Sequence, residues 1–307
     1  MRAGDRIFQN LTTGAGVLVV ALIGLIGIFL VVQAIPALKA DGVNFLTSRT
    51  WVTNDPTNLR FGILDLALVT IYTSLVALII AMPISLGIAL FLTQYAPRQL
   101  ARPFAYVVDL LAAVPSIIFG LWGILVLAPV LSPVAQWIND VLGFIPIFGK
   151  GNIFPNFAGT IFTAGVVLAV MVLPIITSLS REVFERTPTP HVEGALALGA
   201  TRWEVIRTTV LPFGKAGYIG ASMLGLGRAL GETIALAVIL FIPQAGHFDW
   251  SVFDGGATFA SKIASNAAEF NNPTSAGAYI AAGLVLFVLT FAVNFAARAI
   301  IGERQSA

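Results

Sequence analysis

Apolar residues gather in six long runs, at about 16–36, 66–94, 104–131, 157–180, 217–243 and 276–298, and Pro, Gly, Asn and charged residues collect between them. Each run reaches the ~20 residues that a helix needs to cross a ~30 Å hydrocarbon core. The pattern predicts an all-α integral membrane protein with six transmembrane helices. The first run follows Arg2 and Arg6, as the core of a signal peptide would. It is longer than the usual ~7–15 residues, however, and no small-x-small cleavage site follows, so it reads as a retained helix. Loops at about 37–65, 132–156 and 244–275 then share one side of the membrane.

Composition supports this reading. Of 307 residues, 57% are hydrophobic and 10% charged, above the ~45–50% apolar content of soluble domains. The net charge of +2 is small and the basic residues are scattered, which gives no reason to expect nucleic acid. Without cysteine there is no disulfide, thiolate metal site or cysteine nucleophile. The side holding both termini carries Arg2, Arg6, Arg98, Arg102, Arg181, Arg186, Arg202, Arg207, Lys215, Arg298 and Arg304; the other carries only Lys39, Arg49, Arg60, Lys150 and Lys262. The positive-inside rule therefore puts both termini in the cytoplasm. Trp51, Trp137 and Trp250 fall in the outer loops, where they read as interfacial anchors or as part of a docking surface for an outside partner.

Arg228 is the one basic residue left inside a span, with Glu232 four residues on. At ~1.5 Å per residue each lies roughly 16 Å from the nearer end of the 217–243 run, close to the bilayer midplane. Charge at that depth is costly and marks a substrate path or gate, or else a neutralising structural pair. The pair shares a helix face, but arginine first is the weaker order for helix stability. Gly227 and Gly231 adjoin that face in a GxxxG step, which would let a neighbouring helix approach. Asp109 and Ser116 are further candidates for the path or gate. Asp109 also reads as a solvated carboxylate near the cytoplasmic end of its span, and Pro115 as a kink.

The 181–215 loop carries the clearest helix punctuation. Thr187-Pro188-Thr189-Pro190 stops one helix, Pro190 suits the start of a short one to Leu198, Gly199 ends it, and Thr201 with Glu204 forms a capping box for the next, which runs toward Leu211-Pro212. A short exposed helix of this kind fits a groove on another protein, or serves as an amphipathic connector on the membrane surface.

Glu193-Gly194-Ala195, Gly199 and Leu211-Pro212 resemble the loop motif of ABC importer permeases, written EAA, three residues, G, nine residues, I, any residue, LP. Gly194 replaces the second alanine and Thr209 the isoleucine. Residues 70–74, 83–87, Val114-Pro115-Ser116 through Gly120-Leu121-Trp122-Gly123, and 227–233 are similar to the phosphate-uptake (Pst) permeases, the C-type subunit in particular. The resemblance implies a type I ABC importer permease fold. It divides the chain into a first helix and outer loop at 1–65, a permease domain at 66–302 and a cytoplasmic tail at 303–307. It also implies docking of Glu193, Gly194, Ala195, Gly199, Leu211 and Pro212 on a cytoplasmic ATPase. The partners would be a second, A-type permease, two ATPase subunits that use ATP and Mg, and an extracytoplasmic phosphate-binding protein, all at the inner membrane among its lipids.

No catalytic, metal or cofactor site is expected in the chain itself. Gly143 to Lys150 has five residues between its glycines instead of the four of a P-loop, and Gly151 follows the lysine. Gly225, Gly227 and Gly231 have one residue too many for a dinucleotide fingerprint. His191 and His247 fall on opposite sides of the membrane. The alternatives at this stage are a sulfate or molybdate importer and a proton-coupled secondary anion transporter, the second of which would need no ATPase.

Overall fold

The computed structural model describes residues 3–302 apart from 54, 56, 57 and 244–246, and only the backbone of 3, 98, 271 and 297–302. The expected tail 303–307, and with it Arg304, and Arg2 lie outside the described residues. In chain order the elements are α1 (Ala3–Ala40), β1 (Trp51–Val52), β2 (Arg60–Phe61), α2 (Leu64–Leu90), α3 (Arg98–Ala112), α4 (Ser116–Trp122), α5 (Ala128–Leu142), α6 (Ile161–Glu185), α7 (Thr189–Ala197), α8 (Arg202–Val205), α9 (Leu211–Leu230), α10 (Ile234–Ile239), α11 (Phe259–Ser265) and α12 (Pro273–Gly302).

Among the described residues, five helical segments are long and apolar enough to cross a membrane: Gly4–Ala40, Leu64–Tyr95, Ser116–Leu142, Ile161–Glu185 and Pro273–Ala296. Two of the six expected spans are corrected. The third runs from Ser116 to Leu142 instead of 104–131, so Trp137 stands on α5 and not in a loop. Pro115 biases Val114 away from helix, α3 stops at Ala112, and α4 restarts with Pro115 as its N-cap. Asp109 thus belongs to α3, an amphipathic helix ahead of the span. The fifth expected span, 217–243, is not one helix: α9 ends at Leu230 and α10 begins at Ile234.

Two compact units are present, one of residues 1–64 and 266–289, the other of 65–265 and 290–307. In the first, Ala34 and Ala37 of α1 and Ala278 and Ala281 of α12 bury with Leu59 and Phe61, and the two-residue strands pair antiparallel beside them. Thr53, 2% exposed, donates to Glu269 Oε2 at 2.8 Å, and Ser275 donates to the Thr53 carbonyl at 2.8 Å. Polar groups buried among these aliphatic residues are thereby satisfied.

In the second unit α6 is the central post. Val167, Leu168, Met171, Val172 and Ile176 bury against residues of α2, α4, α9 and α10. Two buried hydroxyls of α2 are satisfied within their own helix: Thr70 donates to the Leu66 carbonyl at 2.6 Å and Thr73 to Val69 at 2.7 Å. Asp254, fully buried, accepts the backbone N–H groups of Asn152, Asp249 and Ser251 at 2.8, 2.8 and 3.1 Å and so ties the 149–160 loop to the 249–256 loop. Burial pushes its carboxyl above the ordinary aspartate value, against the pull of those three donors.

Glycines set how closely the helices meet. A Cβ on Gly120 would sit 2.9 Å from the Ala235 Cα, and one on Gly123 2.6 Å from Val167 and 3.1 Å from Ile239. The pairs 120 with 235 and 123 with 239 make α4 and α10 run side by side in the same direction. A Cβ on Gly225 would come 2.8 Å from Ile176 as α9 crosses α6.

Three wide π-helical turns, Phe91–Tyr95, Gly123–Leu127 and Ile206–Val210, are each followed two residues later by a proline: Pro97, Pro129 and Pro212. Ala96, Ala128 and Leu211 donate five residues back, to Phe91, Gly123 and Ile206. Widening the ladder by one residue just ahead of Pro129 and Pro212 relieves each ring's clash with the preceding turn, whereas at Pro97 the helix ends, Ala96 being extended and α3 starting at Arg98. Leu211-Pro212 therefore does not end a helix; the chain stays helical from Arg202 to Leu230.

Gly120→Val is expected to cost about 1–3 kcal/mol, because its side chain meets the α10 backbone and not a flexible side chain. Thermal unfolding of the purified chain in detergent checks this, with Gly4→Ala, which meets open space, as the neutral control.

Candidate functional site

The site grows from the interruption at 231–233. Gly231 N–H reaches the Gly227 carbonyl at 3.3 Å and Glu232 N–H the Ala229 carbonyl at 3.3 Å, which closes the last turn of α9. Thr233 then donates its hydroxyl to the Gly231 carbonyl at 3.0 Å, and Glu232 Oε1 accepts the Ala235 N–H of α10 at 3.3 Å. Glu232 is 7% exposed and caps the restarted helix. The end of one helix and the start of another thus meet inside a run with no charges but Arg228 and Glu232, and side chains satisfy part of the freed backbone.

Arg228 lies in the last turn of α9, where its charge complements the helix dipole. It is exposed and, among the described residues, has no ion pair or hydrogen bond. The expected pairing with Glu232 is absent. It depended on an unbroken helix, and the break turns Glu232 inward to the α10 amides. The Gly227/Gly231 step is also unfilled: a Cβ on Gly227 would meet nothing within 4 Å, and one on Gly231 only the Gly227 carbonyl of its own chain turn, at 3.6 Å. Glycines that do meet a neighbouring helix, Gly120, Gly123 and Gly225 among them, lie elsewhere.

Ser116 joins this region by register. Because Gly120 lies against Ala235 and Gly123 against Ile239, the half-buried Ser116 at the head of α4 is level with 231–233. Two helix interruptions, 113–115 and 231–233, therefore share one depth. Asp109 does not belong with them. Its Oδ1 accepts the Ser178 hydroxyl at 2.8 Å and its Oδ2 the Arg181 Nη2 at 3.4 Å. Gly225 meets α6 at Ile176 and Val172, so Arg228 lies beyond Val172 and Asp109 about two turns of α6, ~10 Å, away. Asp109 is half-exposed, as the solvated-carboxylate reading expects.

The 181–215 loop follows its sequence closely. The short helix spans Thr189–Ala197, one residue earlier than expected, with Pro190 in its first turn. Gly199 takes φ +85°, its N–H reaches the Leu196 carbonyl at 2.9 Å, and the Ala200 N–H reaches Ala195 at 3.2 Å. These two bonds make a Schellman stop. The capping box is present as read: Thr201 N–H donates to Glu204 Oε2 at 2.7 Å and Glu204 N–H to Thr201 Oγ1 at 3.3 Å. Glu193 and Gly194 are exposed, Ala195 is half-buried against Phe184, Val205 and Ile206, and Leu198 is 91% exposed. The helix thus has one anchored side and one bare side. Leu211 and Pro212 lie at the foot of α9, away from the bare side.

Two residues had no signal in the pattern of runs. Asp254 reads as one polar residue in a polar loop, and Gly120 as part of an apolar run. Among the described residues no group of three His, Cys, Asp or Glu side chains could hold a metal ion.

Comparison with known proteins agrees with this architecture. Residues 81–302 match the family model described as binding-protein-dependent transport system inner membrane component. The phosphate transport system permease protein PstC 2 of Mycobacterium tuberculosis is 59% identical over 303 residues, 99% of this chain and 93% of that protein. PstC of Mycobacterium leprae is 57% identical, over 99% of this chain and 95% of that protein. PstC of Haemophilus influenzae is 39% identical, over 98% and 94%. Among solved structures, an inward-facing form of the MetNI methionine ABC transporter aligns with TM-score 0.55 at 18% identity, covering 78% of this chain and 95% of that one. At that identity the likeness is one of fold.

The backbone and hydroxyl of Thr201 hold the Glu204 carboxyl below its ordinary value. The cap is therefore at full strength above the usual glutamate value of about 4.3 and is lost as pH falls through the lower folded value. Amide exchange at Thr201 and Glu204, measured between pH 7 and pH 3, should show protection lost only at the acid end. Gly199→Ala, which forces a Cβ onto φ +85°, should cost about 1–2 kcal/mol locally, roughly tenfold faster exchange across 195–200.

Proposed function

We propose, for a chain that belongs to the binding-protein-dependent transport system inner membrane components, that it is the permease subunit of an ATP-driven inorganic phosphate importer. The near full-length identity of 57–59% to proteins named phosphate permeases carries the substrate. The interruption at 231–233 with Arg228 beside it carries the mechanism. The chain is an inner-membrane protein and works within an ABC transporter complex. Its family is one of permeases, and ATP hydrolysis is assigned to other subunits.

A phosphate dianion crossing hydrocarbon needs a compensating charge and donors that are in place before it arrives. Arg228 offers both, on a helix end whose dipole it already complements. Glu232 positions the break by holding the first turn of α10, and its second oxygen remains as an acceptor. A protonated phosphate has a hydrogen to donate to a carboxylate, and sulfate has none at neutral pH. Ser116, level with the break on the neighbouring helix, supplies a hydroxyl to the same depth. Asp109 acts instead in an ion pair with Arg181.

The bare side of Thr189–Ala197, carrying Glu193 and Gly194, docks on an ATPase subunit, with Ala195 and Gly199 fixing its angle. A second, A-type permease completes the path by covering the Gly227 and Arg228 face, two ATPases power it, and an external phosphate-binding protein delivers the anion. The basic-residue count supports cytoplasmic termini, with α9 and α10 together making the sixth crossing. Alternating access then follows from ATP-driven movement of the docked helix.

The test is phosphate uptake into vesicles that carry the chain with its partner subunits. With ATP inside, Arg228→Gln should lower uptake about tenfold or more while the complex still assembles, the scale of losing one charge-assisted hydrogen bond. Uptake that ignores ATP and follows a proton gradient would overturn the importer reading. Glu232→Gln should erode the preference for phosphate over sulfate in competition; an unchanged preference assigns selectivity elsewhere.

A further inference from the structure

Two cations outside the Arg228 region stand beside an apolar groove that the transport reading does not use. The groove has a volume of about 430 Å³ and is lined by Phe184 of α6 with Arg207, Leu211, Pro212, Lys215, Tyr218 and Ile219 of the following helical run. Its wall exists because Gly214 has no side chain: a Cβ there would sit 2.4 Å from the Phe184 ring. Tyr218 spends its hydroxyl on the Met82 carbonyl at 2.9 Å, which leaves its ring for the groove. The wide turn at Ile206–Val210 brings Arg207 round to the face of Leu211 and Lys215.

Arg207 and Lys215 are both exposed, and among the described residues neither has a hydrogen bond or ion pair. They lie about two helical turns, ~11 Å, apart. The groove opens where the chain passes from the capped polar turn at Thr201 and Glu204 into the apolar run beyond Gly217, the depth at which a lipid's headgroup gives way to its acyl chains.

We infer that this groove is a binding site for one anionic phospholipid, its acyl chain along Leu211, Tyr218 and Ile219 and its phosphodiester between Arg207 and Lys215. The apolar wall answers the chain and the unpaired charges answer the headgroup. Phosphate alone would leave the wall unfilled, and a zwitterionic lipid would bring a third cation to a site that already holds two. Because it is separate from the Arg228 region, the site stands whether or not phosphate proves to be the transported anion.

The test uses the assembled complex in detergent, titrated with phosphatidylglycerol or phosphatidylcholine and read by native mass spectrometry. The native chain should retain phosphatidylglycerol in preference. Joint Arg207→Gln and Lys215→Gln should weaken that binding about thirtyfold, near fivefold per cation, and leave phosphatidylcholine unchanged. Arg207→Lys with Lys215→Arg, which keeps both charges, should restore it, and Arg202→Gln, outside the groove, should have no effect. If the double variant fails to assemble, Lys215→Gln alone should give the fivefold loss. Equal retention of the two lipids, or phosphatidylglycerol binding that ignores the variants, would overturn the site. So would inorganic phosphate displacing the lipid at equal concentration, which marks a free-anion site. Loss of a partner subunit from the variants with lipid binding unchanged would also overturn it, and would assign the groove to protein.

Discussion

Backbone in hydrocarbon has no water to turn to, so every N–H and C=O within a span must find a partner in the protein. That requirement gives the 231–233 interruption its weight. Three residues of ordinary helix would satisfy their own amides at no cost in side chains. Here Thr233 and Glu232 are committed to the task, and Glu232 is a carboxylate buried for it. The close approach of α4 through Gly120 and Gly123 then brings a second helix start to the same depth. Interruptions of this kind persist where they line a cavity or meet a neighbour, and the exposed Arg228 beside this one agrees with that.

How legible each part was in the sequence depends on the range of the interactions that specify it. The Thr201 capping box and the Gly199 stop were readable because each is settled within six residues, by hydrogen bonds that the residue types nearly dictate. Four of the six runs gave spans close to their expected places, since apolar length alone decides them. The break at 231–233 was not readable. It contains no proline, and Gly231 also suits the close packing of an unbroken helix. The partners that stabilise the break, α4 above all, come from a hundred residues away. The depth of Arg228 and Glu232 is legible in the run, but a mutual contact between them needs an intact helix, which the break removes.

The third run failed differently. Residues 104–112 and 116–131 are each apolar enough to merge into one run, in which Pro115 reads as a bend. Its effect on Val114 makes it a boundary. Asp109 then changes meaning, from a carboxylate within a span to one that meets Arg181 at the far end of α6. Prolines 129 and 212 show the converse: a wide turn before each lets the helix continue past it.

One such adaptation has a mechanical result. Because the turn at Ile206–Val210 carries the helix past Pro212, a single rod about 43 Å long joins the capping box at Arg202 to the end of α9 at Leu230. A tilt of about 10° about the Gly225 crossing moves the capped end by about 6 Å and the Leu230 end by about 1 Å. The capping box and the charged break are thus the long and short arms of one lever, with the Gly225 crossing on Ile176 as its fulcrum.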